Sequence, residues 1–360
     1  MSKVAIVYDR VNKWGGAERV LLALHEIYPE APLYTSVYDP DGAPWAKAFP
    51  EVVTSFLQKF PFARSNHELL APLMPLAFES FDLTRFDLVI SVTSEAAKGI
   101  RTKPGTLHIC YCLTPTRYLW SHADEYFKGL AFKAVAKPFT DRLRKWDKIA
   151  SQRPDKIIAI STEVNNRIKK YYDRDSNIIF PPVNTSIIRI NSVTEKKHYL
   201  VVSRLVGYKR VDLVIEAFNK LGYPLVIVGT GREEKKLKRM AGNNIKFAGQ
   251  VSEKELTMYY GSAKALIMPQ EEDFGIVAVE AQSFGVPVIA YKKGGAIDTV
   301  IPDKTGIFFE EQEPESLITA VRKFERMTFD PKVLKANSNK FSKDKFKREF
   351  VEVVKNARMF

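Results

Sequence analysis

The sequence predicts an α/β protein built from two doubly wound parallel sheets. Three observations point there. Short apolar runs alternate with stretches of helical periodicity, the alternation runs through the chain twice, and a proline-paired polar stretch separates the two rounds. In the first round "VAIVY", "LYTSV", "DLVISV", "LHICYC" and "DKIIAIS" read as strands, because β-branched runs this short are bounded by turn residues. Between them "GGAERVLLALHEIY" and "STEVNNRIKKYY" place apolar residues three and four apart, as helices do. The rhythm breaks at "NIIFPPVNTSIIRINSVTEKKH". It resumes with strands "HYLVVSRL", "YPLVIVG", "NIKFAGQV", "AKALIMP" and "VPVIAY", separated by helices "RVDLVIEAFNKLG", "REEKKLKRMAG" and "EKELTMYYGSA" and by a helix from about Gly275 to Phe284. The expected domains are residues 1–182 and 183–340, two Rossmann-like units facing a central cleft, with a helix over 341–360 bracing them.

Composition narrows the function classes. A chain of 360 residues with 45% hydrophobic and 27% charged residues has a soluble globular balance. Its apolar runs fall short of the roughly 18 residues of a membrane span, and "MSKVAIVYD" runs directly into a strand, so a cytoplasmic location is expected. Cys110 and Cys112 share one face of a strand and read as core residues, and the five histidines have no ligand spacing, so neither a disulfide framework nor a bound metal is expected. The net charge of +13 is concentrated. Between Lys128 and Lys170 twelve basic residues face four acidic ones, interleaved with Phe127, Leu130, Phe132, Val135, Phe139 and Trp146. That texture suits an element lying on an anionic membrane, and equally a solvated helix with a packed apolar stripe.

Three loops at strand ends carry candidate chemistry. Gly15 and Gly16 open a helix whose N–H groups suit a phosphate, without the spacing of a dinucleotide fingerprint or a P-loop. "SRLVGYKRVD" presents Arg204 and Lys209, two cations able to bracket a diphosphate. "MPQEEDFGIVAVEAQSFG" crowds Glu271, Glu272 and Asp273 before a helix and sets Glu280 on an otherwise apolar run.

These residues carry a resemblance. "EEDFGIVAVEAQSFG", with Glu272 and Glu280, resembles the donor-binding signature of the retaining glycosyltransferases of family 4, which share the two-domain GT-B fold. "WGGAE", "YCLTPTRYLW", "SRLVGYKRVD", "VGTGRE", "FAGQVSEKEL" and "GGAIDTVIPDKTGIFF" resemble further family blocks in the family's order, to about residue 310. The wording is most similar to the branch that moves mannose from GDP-mannose in polysaccharide assembly. The resemblance implies that Glu280 holds the donor ribose, that Glu272 sits at the sugar, and that the amides of Phe274, Gly275 and Ile276 meet the sugar or diphosphate. It implies a clamp of Arg204 and Lys209 on the leaving diphosphate, reached also by Gly15 and Gly16, with Asp298 near the donor and Arg117 and Tyr118 on the acceptor side. No cofactor or metal is implied. The expected partners are a nucleotide sugar, a glycan or polyprenyl-diphosphate-linked saccharide and an anionic membrane surface, giving a peripheral location at the inner face of the cell membrane; nucleic acid is not expected.

One position departs from the pattern. Where many relatives carry a histidine, this chain has Leu113; His122 lies nine residues on. A front-face transfer, in which the departing phosphate oxygen takes the acceptor's proton, needs no such base. A UDP-sugar donor and a non-catalytic nucleotide-sugar binder stay open as alternatives. A glycoside hydrolase is disfavoured because eight helical steps would place Glu272 and Glu280 about 12 Å apart, beyond the roughly 5–9.5 Å such enzymes use. No strand ends in the glycine fingerprint of a NAD-dependent oxidoreductase.

Overall fold

A parallel strand buried on both faces must be apolar along its whole length, and the central runs here satisfy that condition. A computed structural model describes residues 3–61, 63, 67–121, 130–185 and 196–358. The chain divides into two units, Met1–Pro182 with Phe346–Phe360, and Val183–Lys345.

The first unit holds strands β1 (Val4–Tyr8), β2 (Leu33–Thr35), β3 (Val52–Thr54), β4 (Leu88–Thr93), β5 (Leu107–Cys112), β6 (Lys156–Ala159) and β7 (Asn177–Ile178). They pair in parallel in the order β3-β2-β1-β4-β5-β6-β7. Its helices are α1 (Gly16–Ile27), α2 (Met74–Glu79), α3 (Arg117–Trp120), α4 (Leu130–Ala150) and α5 (Thr162–Tyr172). Helix α5 starts where sequence rules place a start: the Ser161 side chain accepts from the Val164 N–H, and the helix ends on Asp173 in the left-handed region.

The second unit holds β8 (His198–Val202), β9 (Leu225–Val228), β10 (Ile245–Gly249), β11 (Ala263–Met268), β12 (Val288–Tyr291) and β13 (Gly306–Phe309), ordered β10-β9-β8-β11-β12-β13. Its helices are α6 (Val211–Leu221), α7 (Glu234–Met240), α8 (Glu253–Ser262), α9 (Ile276–Ser283), α10 (Ala296–Thr299), α11 (Pro314–Phe324) and α12 (Pro331–Ser338). Tyr199, Val201, Ile227, Ile267 and Ile289 of the sheet pack with Val214 and Phe218 of α6 and Leu317 and Val321 of α11. Strands β3, β7 and β13 are additions to the sequence reading, because two to four residues carry too little periodicity to be told from loop.

The closing helix α13 (Lys343–Ala357) joins the first unit from Phe346 on, where Phe346 and Phe350 set their rings 5.6 and 6.5 Å from Tyr111. Cys110 and Cys112 are buried in β5, and burial pushes the Cys110 thiol up to about 11. Among the described residues no helix is long and apolar enough to cross a membrane.

One buried titratable group gives the first unit a pH signature. His108 of β5 is sealed in the sheet, its Nε2 2.9 Å from the Ser91 hydroxyl, and burial, helped by the Arg153 charge, pushes its pKa down to about 3. The folded state therefore holds the neutral ring while the unfolded chain titrates near 6.5, so stability falls as pH drops below 6.5. His108→Gln, which keeps a partner for Ser91, is expected to reduce the loss of unfolding free energy between pH 7 and pH 5 by about 2 kcal/mol in urea titrations.

Candidate active site

In open parallel sheets a crevice forms where the strand order reverses, at the carboxyl ends of the two strands that diverge. In the second unit those strands are β8 and β11. The loop after β8 carries Arg204 and Lys209, and the loop after β11 carries Gln270, Glu271 and Glu272. Two distant parts of the sequence thus meet for a topological reason.

Lys209 ends a short 3-10 turn, Gly207–Lys209, that closes on Arg210 in the left-handed region (φ 50°) before α6 begins. The turn presses the lysine inward, where it is 8% exposed. Its ammonium forms an ion pair with Glu272 Oε1 and lies 5.2 Å over the Tyr208 ring. Arg204 is exposed and donates to the Tyr208 hydroxyl at 2.6 Å. The Arg210 guanidinium donates to Gln312, whose amide donates to the Pro269 carbonyl at 2.9 Å, a tie between the two loops.

Glu272 is held from three sides. Gln270 Nε2 donates to Oε1 at 2.7 Å, the same oxygen that Lys209 takes. The Gly295 N–H donates to the Glu272 carbonyl at 2.8 Å, and Glu272 pairs with Gly294 in an isolated parallel bridge. That approach requires glycine: at Gly294 (φ 65°) a Cβ would stand 2.3 Å from the Glu272 carbonyl oxygen. Gly275, also left-handed (φ 88°), turns the chain into α9.

Helix α9 therefore begins only at Ile276, which corrects the spacing used against hydrolysis. Glu272 lies in the bridged loop, so the eight-step helical distance to Glu280 does not apply. Glu280 and Ile276 share the half-buried face of α9, one turn apart, while Ala278, Val279, Ala281 and Gln282 are buried. The Tyr260 hydroxyl donates to Glu280 Oε2 at 3.0 Å. Phe274 is buried with its ring 5.5 Å from Phe341, and Asp298 is half-buried on α10, directly after the glycines that bridge Glu272. The structure thus gathers Lys209, Glu272, Phe274, Gly275 and Ile276 around one loop, with Arg204, Glu280 and Asp298 on adjoining elements.

Gly15, Gly16, Arg117 and Tyr118 belong to the first unit. Gly15 precedes α1 in extended backbone, and a Cβ there would lie 3.0 Å from Glu18 Oε2. Glu18 is buried, accepts from the Tyr8 hydroxyl at 2.9 Å, and has its pKa raised by burial. Arg117 and Tyr118 sit on the single turn of α3, which Asp147 of α4 anchors. Asp147 accepts from the Thr116 hydroxyl at 2.9 Å, Trp120 Nε1 at 2.8 Å and the Tyr172 hydroxyl at 2.8 Å, and pairs with Lys98 at 2.5 Å. Burial alone would lower the Lys98 pKa; the Asp147 charge overrides it and the net shift is upward. Tyr118 is raised by burial and then by Glu95. Leu113 closes β5 with its N–H on the Thr93 carbonyl; His122 and Phe127 lie outside the described residues.

Gln270, Tyr260 and Asp147 were not picked out from sequence. Gln270 adjoins the carboxylate run without any spacing to mark it, whereas Asp147, an acid between Trp146 and Lys148, has the inward phase of its helix as a usable signal. Among the described residues no group of three or more histidine, cysteine or acidic side chains is arranged to hold a metal ion.

The chain also matches known proteins. The family described as glycosyl transferases group 1 matches residues 184–341. An uncharacterized glycosyltransferase of Methanocaldococcus jannaschii is 28% identical over 205 residues, 56% of this chain and 58% of its own. A GDP-mannose-dependent monoacylated alpha-(1-6)-phosphatidylinositol monomannoside mannosyltransferase of Corynebacterium glutamicum is 37% identical over 131 residues, 32% of this chain and 34% of that protein. The chain thus spans about half, or less, of these curated relatives. The crystal structure of Anabaena HepE in complex with UDP superimposes with a TM-score of 0.72 at 18% identity, covering 98% of this chain and 100% of that one.

The fold is GT-B. Within this GT-B chain the bridge between the β11 and β12 loops fixes the carboxylate that faces Lys209. Gly294→Ala is expected to destabilise the protein by about 2 kcal/mol or more, from the left-handed backbone and the carbonyl clash together. Thermal unfolding measures it, and an unchanged midpoint would show that the bridge yields without strain.

Proposed function

We propose that the protein is a retaining glycosyltransferase that moves a hexose from a nucleotide sugar to a glycan or lipid-linked saccharide, with GDP-mannose as donor. The observation that carries the reading is the juxtaposition of Lys209 and Glu272 at the strand-order reversal, directly before helix α9. A cation for a diphosphate, a carboxylate for sugar hydroxyls and a helix start that favours negative charge then lie on one loop system. As the sugar–phosphate bond breaks, charge grows on the leaving nucleoside diphosphate, and Arg204 and Lys209 stabilise it. Glu280 on the half-buried face of α9 grips the ribose. The mannose assignment draws support from the wording of the sequence and from the Corynebacterium relative; the family match supports sugar transfer more broadly.

Calorimetry with a panel of nucleotide sugars tests the donor. GDP-mannose is expected to bind in preference to UDP-glucose and UDP-galactose. A preference for a UDP-sugar would replace the donor, and failure of every nucleotide sugar to bind would end the reading. Arg204→Ala is expected to lower turnover by roughly 100- to 1,000-fold. Glu280→Ala should instead weaken donor binding, because a ribose contact is made equally before and during reaction.

The acceptor reading extends to a membrane surface. On α4 the side chains of Lys137, Arg142, Lys145 and Lys148 are exposed, and Phe139 and Ile149 stand 60% and 61% exposed among them. Such a face suits a cytoplasmic leaflet, whose anionic lipids attract each nearby cation by about 1 kcal/mol. Not all of the basic excess in this segment faces outward. Arg144 donates to the Leu119 carbonyl at 2.6 Å, Arg153 is paired with Glu79, and Trp146 is tied to Glu79 at 2.7 Å. Co-sedimentation with anionic vesicles is expected at low salt, fading at high salt and on joint neutralisation of Lys137, Arg142, Lys145 and Lys148. Binding to neutral vesicles alone would make the face an ordinary solvated one.

A further inference from the structure

We infer that Glu272 is an internal competitor for Lys209 that makes the site discriminate a nucleotide sugar from the bare nucleoside diphosphate left after transfer; this rests on the reading of the loop as a donor site. The Lys209 ammonium is committed to Glu272 Oε1 in the structure. The ammonium has three N–H donors but one positive charge, so a diphosphate that takes it competes with the carboxylate for that charge and weakens the ion pair. Glu272 cannot follow, because Gln270 holds the same oxygen, the Gly295 N–H holds its carbonyl, and the bridge to Gly294 fixes its backbone. A carboxylate only accepts, so the Gln270 amide must present Nε2 to it. The other end of that amide, Oε1, is a buried acceptor with no hydrogen-bond partner.

The weakened pair leaves a half-buried carboxylate with less of its cation, a costly state unless other donors arrive. A nucleotide sugar brings them, since its hydroxyls are hydrogen-bond donors attached to the same diphosphate. The bare nucleoside diphosphate keeps only its ribose hydroxyls, which this reading assigns to Glu280, and brings none to Glu272, so the ion pair re-forms and expels it. Glu272 then favours the loaded donor over the spent nucleotide and speeds product departure, a role separate from any contact it makes with the sugar during transfer.

Four proteins test this: wild type, Glu272→Gln, Lys209→Met and the double variant, each titrated by calorimetry with GDP, UDP, GDP-mannose and UDP-glucose. Glutamine nearly preserves the shape of Glu272, and circular dichroism checks folding. Glu272→Gln is expected to bind the bare diphosphate about tenfold more tightly than wild type, a factor matching roughly 1.4 kcal/mol, while binding the nucleotide sugar no more tightly. In the Lys209→Met background the same change should give no gain, because the contested ammonium is gone. Unchanged or weaker diphosphate binding by Glu272→Gln, or a gain that persists without Lys209, overturns the inference. If wild type binds none of the four nucleotides, the donor-site reading itself falls, and the inference with it.

Discussion

The reversal of strand order is the constraint on which the candidate site depends. In the second unit β8 and β11 lie side by side, but the crossovers leaving them run to opposite sides, so their following loops part and leave a crevice lined by backbone ends. Arg204, Lys209, Glu272 and Glu280 hang on those loops or on the helix that follows one of them, whereas Asp298 sits on α10 and Gly15 and Gly16 belong to the first unit. The polypeptide supports them by close backbone approach: Gly294 and Gly295 press against Glu272 and Phe274 with no room for a Cβ. Rigidity of this kind is what a binding site needs if its charges are to stay fixed while a ligand's charge changes.

Much of the architecture was legible because both halves are built from runs that are buried on both faces. "DLVISV", "LHICYC" and "AKALIMP" admit no amphipathic helix, and each is a strand of the structure. The marginal strands were not legible, since "VVT" and "GIFF" are too short for a period to show. At the site, residue types could be read but not their partners. Lys209 and Glu272 stand 63 residues apart, and their ion pair is a product of topology that no local pattern encodes. The helical distance from Glu272 to Glu280 failed for a local reason, the left-handed turn at Gly275, which a glycine permits without announcing it.

Charge illustrates the same limit. Counting cations along residues 128–170 treats all of them as surface, yet Lys98, Arg153 and Arg167 show how readily this fold turns cations inward onto carboxylates and carbonyls. Lys98 is 2% exposed and reaches Asp147, the residue that anchors the turn bearing Arg117 and Tyr118. Because Asp147 belongs to α4, the helix with the exposed basic face, that face and the turn bearing Arg117 and Tyr118 are mechanically one piece.

The first unit has its own strand-order reversal, between β1 and β4, and there the chain does something different. Asp9, directly after β1, accepts the backbone N–H groups of Ser94, Glu95, Ala96 and Ala97 and the Thr93 hydroxyl. Successive amides converging after a strand form the kind of concavity that elsewhere receives a phosphate. Here the protein's own side chain already answers them, and an arriving phosphate would meet a negative charge in place of donors. Although the architecture is duplicated, the open crevice is not: in the first unit a side chain of the protein's own seals it from within.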